Sequence, residues 1–443
     1  MDTQTFKDAG LTGAWLIGAL ILLPLVIACI ILATVLIIVF LPIILVGSGF
    51  LSKHLFTYTV RSLWTRRRTT LLTIGGLALV IFVLTAVLML GQGVENALVT
   101  TGREQNVIVL RRAATSELVS QIDRDGANII KTFPEVAKSQ SGRSLVSPET
   151  YVIINLNRKE SNDMSNVSVR GVSQDGMELR GDQVRLESGR MFAFGANEII
   201  VGANIARRFQ GCEIGSQVKF GGDQWTIVGV FSANKSGFES EIWGDVDRMM
   251  SAFGRPIYSS LTFSLTSSDS TTFKAAKARM ESDPRTSSFE MKGEKAYYEA
   301  QSELMANFIR VLGLVIASLF GVGAVIGAAI TMYASVANRT SEIGTLRALG
   351  FRRLTILAAF LVESSMLALP AALLGLAIAS AMSWIEISTV NFASFAELAF
   401  GFSISLFIVL AAIAFSLALG IIGGLLPAIR AARLKIVNAL QAS

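Results

Sequence analysis

Residues 311–338 read VLGLVIASLFGVGAVIGAAITMYASVAN, with no charged side chain between Arg310 and Arg339. A helix crosses the hydrocarbon of a bilayer with about 20 predominantly apolar residues, so this stretch is long enough to span with some tilt. The eighteen residues before it, 293–310 (GEKAYYEAQSELMANFIR), are rich in helix formers and reach it without a proline. Read as one helix from Glu294 to about Asn338, the segment measures roughly 67 Å at 1.5 Å per residue. The hydrocarbon is only about 30 Å thick. The remainder projects as a stalk, so that a shift of the membrane part moves whatever the stalk carries. The alternative is a break near Asn307 with a surface helix before it.

Working outward, residues 9–52, 69–94 and 398–429 are equally free of charge, and 354–385 is interrupted only by Glu363. The chain is therefore a polytopic α-helical membrane protein, with about 200 residues of ordinary polar composition inserted between the second and third blocks. The first block is too long for one upright span and has no Gly/Asn/Asp turn near its middle. It reads as one tilted or kinked span ending near Pro42, and Asp2, Lys7 and Asp8 do not make the basic start of a signal peptide.

Charge sets the orientation. The whole chain is 52% hydrophobic and 16% charged, with a net charge of +6 and a pI near 9.4, which invites a nucleic-acid reading. The basic residues lie elsewhere than on a binding face. Lys53, Arg61 and Arg66 to Arg68 precede the second block. Arg339, Arg347, Arg352 and Arg353 follow the third against Glu342 alone, and Arg430, Arg433 and Lys435 follow the last. By the positive-inside rule these segments are cytoplasmic, and the large insertion and the short loop with Glu386 and Glu397 are outside. The insertion is close to neutral, so no nucleic-acid partner is expected.

Within the insertion, 106–110, 151–156, 166–171, 224–231 and 260–265 read as strands, and 116–130, 203–209 and 245–253 as helices. The mixture predicts an α+β domain. The sequence has no Gly-x-x-x-x-Gly-Lys-Ser/Thr phosphate loop, no Gly-x-Ser-x-Gly elbow and no His-Glu-x-x-His, and its single histidine, His54, falls on the cytoplasmic side. No catalytic, cofactor-binding or metal-binding residue is assigned, and the acids Glu239, Glu241, Asp245 and Asp247 read as solvated surface. Cys29 and Cys212 fall in different media and read as inert packing residues.

Three membrane features carry more content. In 337–353, Thr340 or Ser341 can cap a short helix with Glu342 in its first turn, and Gly350 can stop it. Ile343, Leu346 and Leu349 form an apolar ridge flanked by Arg347 and Arg352. Such a helix can lie in the headgroups or dock into a cytoplasmic partner. Glu363 sits about ten residues into its span, where an acid is costly and demands a polar partner on a neighbouring helix or a transport role. Gly323-x-x-x-Gly327 and Gly420-x-x-x-Gly424 permit close helix approach.

The stretch Glu342-Ile-Gly-Thr-Leu-Arg-Ala-Leu-Gly-Phe-Arg-Arg353 resembles the coupling-helix signature of FtsX/MacB-type (mechanotransmission, type VII) ABC transporter permeases. The basic lead-in from Tyr58 to Gly76 resembles the start of that family's first helix. Leu186-Glu-Ser-Gly-Arg-Met-Phe192, Glu198-Ile-Ile-Val-Gly202, Ala206-Arg-Arg-Phe209 and Trp225-Thr-Ile-Val-Gly-Val230 resemble its MacB-type periplasmic core. Gly424 to Leu434, with Asn438-Ala-Leu440, resembles its C-terminal end, and Leu361-Val-Glu-Ser364 its membrane acid.

The resemblance implies four core transmembrane helices, at 69–95, 306–338, 354–385 and 398–429. A MacB-like domain then occupies 96–305, a coupling loop 339–353 and a cytoplasmic tail 430–443. Segment 53–68 is the lead-in, and 1–52 is an extra membrane segment that the family core lacks. The resemblance further implies a permease of the inner (cytoplasmic) membrane that binds no cofactor itself. No ATPase region like that fused to MacB is seen, so ATP is bound by a separate cytoplasmic ABC ATPase subunit, as in the similar lipoprotein-releasing permeases. That subunit docks on Glu342, Ile343, Gly344, Leu346, Arg347, Leu349 and Gly350. A second permease copy or a related permease, a periplasmic adaptor or lipoprotein carrier, and membrane lipid are the other partners. The substrate is a lipoprotein, lipid, peptide or small molecule. The rival readings are an FtsX-like regulator of a periplasmic hydrolase and a membrane-anchored enzyme, the second disfavoured by the lack of a nucleophile–base set.

Overall fold

The computed structural model describes residues 66–139, 142–181 and 183–436. The block at 9–52, Cys29, His54, the lead-in before Arg66 and the motif at Asn438–Leu440 lie outside them. In chain order the elements are α1 (Arg67–Val99), β1 (Asn106–Arg111), α2 (Arg124–Ile130), β2 (Val146–Asn157), β3 (Met164–Val172), α3 (Gln174–Leu179), β4 (Arg185–Gly189) and β5 (Glu198–Gly202). Then come α4 (Ala203–Arg208), β6 (Gln217–Phe220), β7 (Asp223–Ser232), β8 (Glu241–Asp245), α5 (Val246–Ala252), β9 (Ser260–Ser264), α6 (Ser270–Ser282) and β10 (Phe289–Gly293). The last six are α7 (Glu294–Asn338), α8 (Thr340–Ala348), α9 (Arg353–Ala381), β11 (Glu386–Val390), β12 (Glu397–Gly401) and α10 (Leu406–Ala432).

Four of these helices, α1, α7, α9 and α10, are long and apolar enough to cross a membrane. Helix α7 is continuous over 45 residues, with no break at Asn307. The chain divides into two units. One comprises the described residues up to Met89 with Ile309–Trp384 and the chain from Ile404 onward; the other comprises Leu90–Phe308 and Ile385–Ser403.

The second unit is built on a ten-stranded mixed sheet in the order β10-β1-β9-β2-β3-β8-β5-β7-β4, with β6 beside β7. Strand β2 joins its halves: Val146–Glu149 pair with β9, and Thr150–Asn157 pair with β3. Sequence pattern explains the burial. In β1 the run Val107-Ile-Val-Leu110 is buried on both faces, Val107 and Val109 against α2 and α6, Ile108 and Leu110 against Tyr297 and Tyr298. In β7 alternate residues Trp225, Ile227 and Phe231 turn inward, as a half-buried strand requires. Each such fully buried side chain contributes about 1.5–3 kcal/mol.

Residues 116–130 do not form one helix: only Arg124–Ile130 is helical, and Ser116–Val119 is a turn. The turn exists because Glu117 is drawn inward, where its carboxylate meets a buried guanidinium. The loop after α9 is also more than a loop. Strands β11 and β12 pair from Glu386↔Gly401 to Val390↔Glu397 and belong to the sheet-containing unit.

In the membrane unit, α9 and α10 pack along Gly420 and Gly424. A β-carbon on Gly420 would fall 2.7 Å from that of Ala368, and Ser416 Oγ donates to Ala368 O at 2.7 Å. Small residues here let the two backbones approach. The other pair, Gly323 and Gly327, meets nothing within 4 Å among the described residues.

Candidate functional site

Two clusters of charge stand out, one in each unit. In the sheet unit, Arg170 of β3 is fully buried. Its Nε meets Glu241 Oε2 at 2.8 Å, and its Nη1 meets Glu117 Oε1 at 2.7 Å and Glu149 Oε2 at 2.6 Å. Arg180, just after α3, bonds Glu149 Oε1 through Nη2 and Glu294 Oε1 through Nη1, both at 2.9 Å. Both guanidiniums also lie over the Phe238 ring. Glu294 is the first residue of α7, and its other oxygen accepts from Asn106 Nδ2 and Arg103 N. The cluster thus ties β2, β3 and β8 to the start of the long helix.

Its electrostatics follow from four carboxylates sharing two guanidiniums. Burial alone would raise the Glu149 carboxyl, but the charges of Arg180 and Arg170 outweigh it and leave it below the usual range. Burial pushes Glu241 up despite Arg170. Burial disfavours the charge on Arg170, yet Glu117 and Glu241 hold its pKa well above the ordinary value. Beside the cluster lies a cavity of about 40 Å³, lined by Glu117, Glu241, Tyr151 and Tyr298, large enough for water.

The reading of Glu239, Glu241 and Asp245 as solvated surface is corrected: all three are buried, and only Asp247 is open. Each has a task. Glu239 accepts from the amides of Ala233 and Lys235, Asp245 caps α5 and accepts from Gly195 N, and Glu241 holds Arg170 and Trp243 Nε1. The hairpin acid Glu397 is likewise paired. It meets Arg158 at 2.7 Å, Arg208 at 3.1 Å and Ser165 Oγ at 2.6 Å, and burial, which would raise it, loses to these partners. Cys212 is buried, and burial pushes its thiol up to about 12.

In the membrane unit, α7 ends at Asn338, and Arg339 takes the N-cap position of α8 in place of Thr340 or Ser341, without a capping side-chain bond. Thr340 instead lies inside the helix, its hydroxyl bonded back to Ala337 O. The Arg339 side chain is the hub. Nη1 bonds Glu363 Oε2 of α9 at 3.0 Å, Nε bonds Glu342 Oε2 of α8 at 3.3 Å, and the guanidinium sits 5.6 Å over Phe360. The partner that Glu363 needs is thus an arginine at the end of the preceding span. Gly350, at φ +97°, turns the chain out of α8 in a conformation that only glycine adopts freely.

The apolar residues of α8 divide. Ile343 faces inward, against Met332, Val336, Ile356, Phe360 and Ala428, and Gly344 is buried beside it. Leu346 is half-buried against Ala359. Leu349 is 72% exposed and Leu354, at the start of α9, 73%. Arg347 has a buried Nε without an acceptor among the described residues. Sequence reasoning singled out Glu363 but counted Arg339 only as a topological charge. It missed Arg170, Arg180, Glu117, Glu149 and Glu294 altogether, although an arginine inside the apolar strand pattern of 166–171 was a usable signal.

Two family models match the chain: the MacB-like periplasmic core domain over residues 70–283, and the FtsX-like permease C-terminal region over 314–436. The macrolide export ATP-binding/permease protein MacB of Neisseria meningitidis serogroup A is 24% identical over 370 residues, which are 76% of this chain and 55% of that protein. The ABC transporter permease YknZ of Bacillus subtilis is 26% identical over 290 residues, 62% of this chain and 70% of that one. The chain spans about half the length of the MacB proteins it matches. The crystal structure of the periplasmic region of MacB from Actinobacillus actinomycetemcomitans aligns with a TM-score of 0.34 and 13% identity, covering 44% of this chain and 92% of that one. With both matched regions in order along four apolar helices, the chain belongs to the MacB/FtsX-type family of ABC transporter permeases.

Proposed function

We infer that the chain is the permease subunit of an inner-membrane ABC complex. In this reading a separate ATPase subunit drives movement of the sheet domain, for export or release of a lipoprotein, lipid, peptide or small molecule. The observation that carries it is the Arg339 hub, where one guanidinium binds the coupling helix through Glu342 and the next span through Glu363 at the end of a 45-residue helix. A push on α8 therefore cannot be absorbed by α8 alone. It displaces α7, whose first residue is clamped to the sheet by Arg180.

Within the proposed dock, Leu349 and Gly350 are open for contact, and Arg347 is partly exposed beside them. Glu342 and Leu346 flank that surface. Ile343 and Gly344 hold α8 against its own neighbours. A second permease copy completes the assembly, for which the unfilled Gly323/Gly327 face is available. The test is co-expression with the cognate ABC ATPase subunit. Leu349→Asp should abolish co-purification without lowering the melting temperature, since the side chain is exposed. Retained co-purification would overturn the docking assignment.

A further inference from the structure

The start of α1 and the last turns of α7 enclose a groove that the coupling reading does not use. Arg66, Arg67 and Arg68 line one side, and Ala334, Ser335 and Asn338 the other, around a volume of about 480 Å³. That is the size of a small-ligand pocket. Thr73 of α1 and Thr331 of α7 are hydrogen-bonded at 3.2 Å and join the two helices there.

Four observations describe what would fill it. Arg67 and Arg68 are exposed and make no ion pair with a described acid, and the nearby Glu363 is already held by Arg339. Helix α1 begins at Arg67 with no acid in its own first turn, where its dipole is positive. Ser335, more than nine-tenths buried, lines the groove with its hydroxyl beside the Glu363 carboxylate. Immediately along the same helices, Leu71, Leu72, Ile326 and Ile330 are between 55% and 75% exposed. The occupant needs an anionic oxygen-rich head and an apolar tail.

We propose that this groove binds the phosphate headgroup of an anionic phospholipid, with its acyl chains along Leu71, Leu72 and Ile330. The leaflet is the one that the positive charge marks as cytoplasmic, and the proposal is independent of ATPase docking. Basic pockets between spans on this side suit such headgroups, and each basic residue adds about fivefold in affinity. Arginines at this place also serve to orient the chain during insertion, so the test must separate a shaped site from diffuse charge.

The purified full-length chain is mixed with phosphatidylglycerol, cardiolipin or phosphatidylcholine in mild detergent and examined by native mass spectrometry. Retained phosphatidylglycerol or cardiolipin and no retained phosphatidylcholine is the expected result. Arg67→Gln and Arg68→Gln should each weaken retention about fivefold. Ala334→Trp fills the groove without changing charge and should abolish retention; Ala334→Phe is the second such variant should the first melt early. Arg352→Gln with Arg353→Gln removes two charges from the same side outside the groove and should change nothing. Equal loss in that control, or full retention in both groove-filling variants, would reduce the site to diffuse charge and overturn the proposal. Displacement of the lipid by excess inorganic phosphate would overturn it in favour of a soluble ligand.

Discussion

Arg180 and Glu294 lie 2.9 Å apart with both side chains wholly withdrawn from solvent, so the first residue of α7 is fixed to the sheet by a buried charge pair. Removing Glu294 leaves Arg180 with Glu149 as its carboxylate partner but takes the acceptor away from Asn106 Nδ2 and the Arg103 amide. Glu294→Ala should destabilise the sheet unit by about 1–3 kcal/mol. Hydrogen exchange of the full chain should localise the loss to the first turns of α7 and to β1, whose Asn106 shares the same carboxylate.

The Arg339–Glu363 pair is the corresponding buried contact of the membrane unit. Glu363→Leu should cost about 1.5–3 kcal/mol, because Arg339 keeps only the half-exposed Glu342, whereas Arg339→Met combined with Glu363→Leu should recover most of that loss, because an apolar pair of similar volume replaces both charges. Denaturant unfolding in detergent measures it. If the double variant couples less well to the ATPase although it is as stable as the parent, the pair serves transmission beyond holding the helices.

Acid sensitivity separates the buried carboxylates by sign. Glu149 and Glu397 have folded pKa values below the unfolded value of about 4.3, so their contribution is present above that pH and disappears as pH falls through the folded value. Glu241 is raised, so its contribution is present below about pH 4.3 and is lost as pH rises through the folded value. At pH 7, Glu149→Gln should therefore cost more stability than Glu241→Gln, and the gap should close as the pH is lowered through 4. Melting of the full chain from pH 7 downward checks the order.

The two glycine pairs should respond differently. Gly420→Val drives a side chain into Ala368 and should destabilise the membrane unit by about 1–3 kcal/mol. Gly323→Val meets no neighbour among the described residues and should leave the melting of the chain unchanged. It should lower the dimer fraction measured by analytical ultracentrifugation if that face joins two copies.

The parts of this fold that were legible in the sequence rest on local physics. Uncharged runs marked the four long apolar helices, although the run from 398 opens in β12 and α10 starts only at Leu406; helix formers without proline carried α7 across Asn307, and Gly350 ended α8. The buried charges were not legible, because their burial is decided by partners far along the chain. Arg170 reaches Glu117 across 53 residues and Glu241 across 71, and Glu397 reaches Arg158 across 239. Glu117 was hidden further by lying in a stretch whose composition favours a helix. Glu363 announced a need for a partner, but only tertiary structure could choose Arg339.

The hairpin β11–β12 makes the sheet domain a two-piece object: the chain leaves it at Phe308 and returns for Ile385–Ser403. A fragment cut at 90–308 would lack the acid that neutralises Arg158 and Arg208 and the carbonyl that receives Asn166. Such an excised domain should be loosest on that face, and supplying the hairpin as a separate peptide should restore its rigidity.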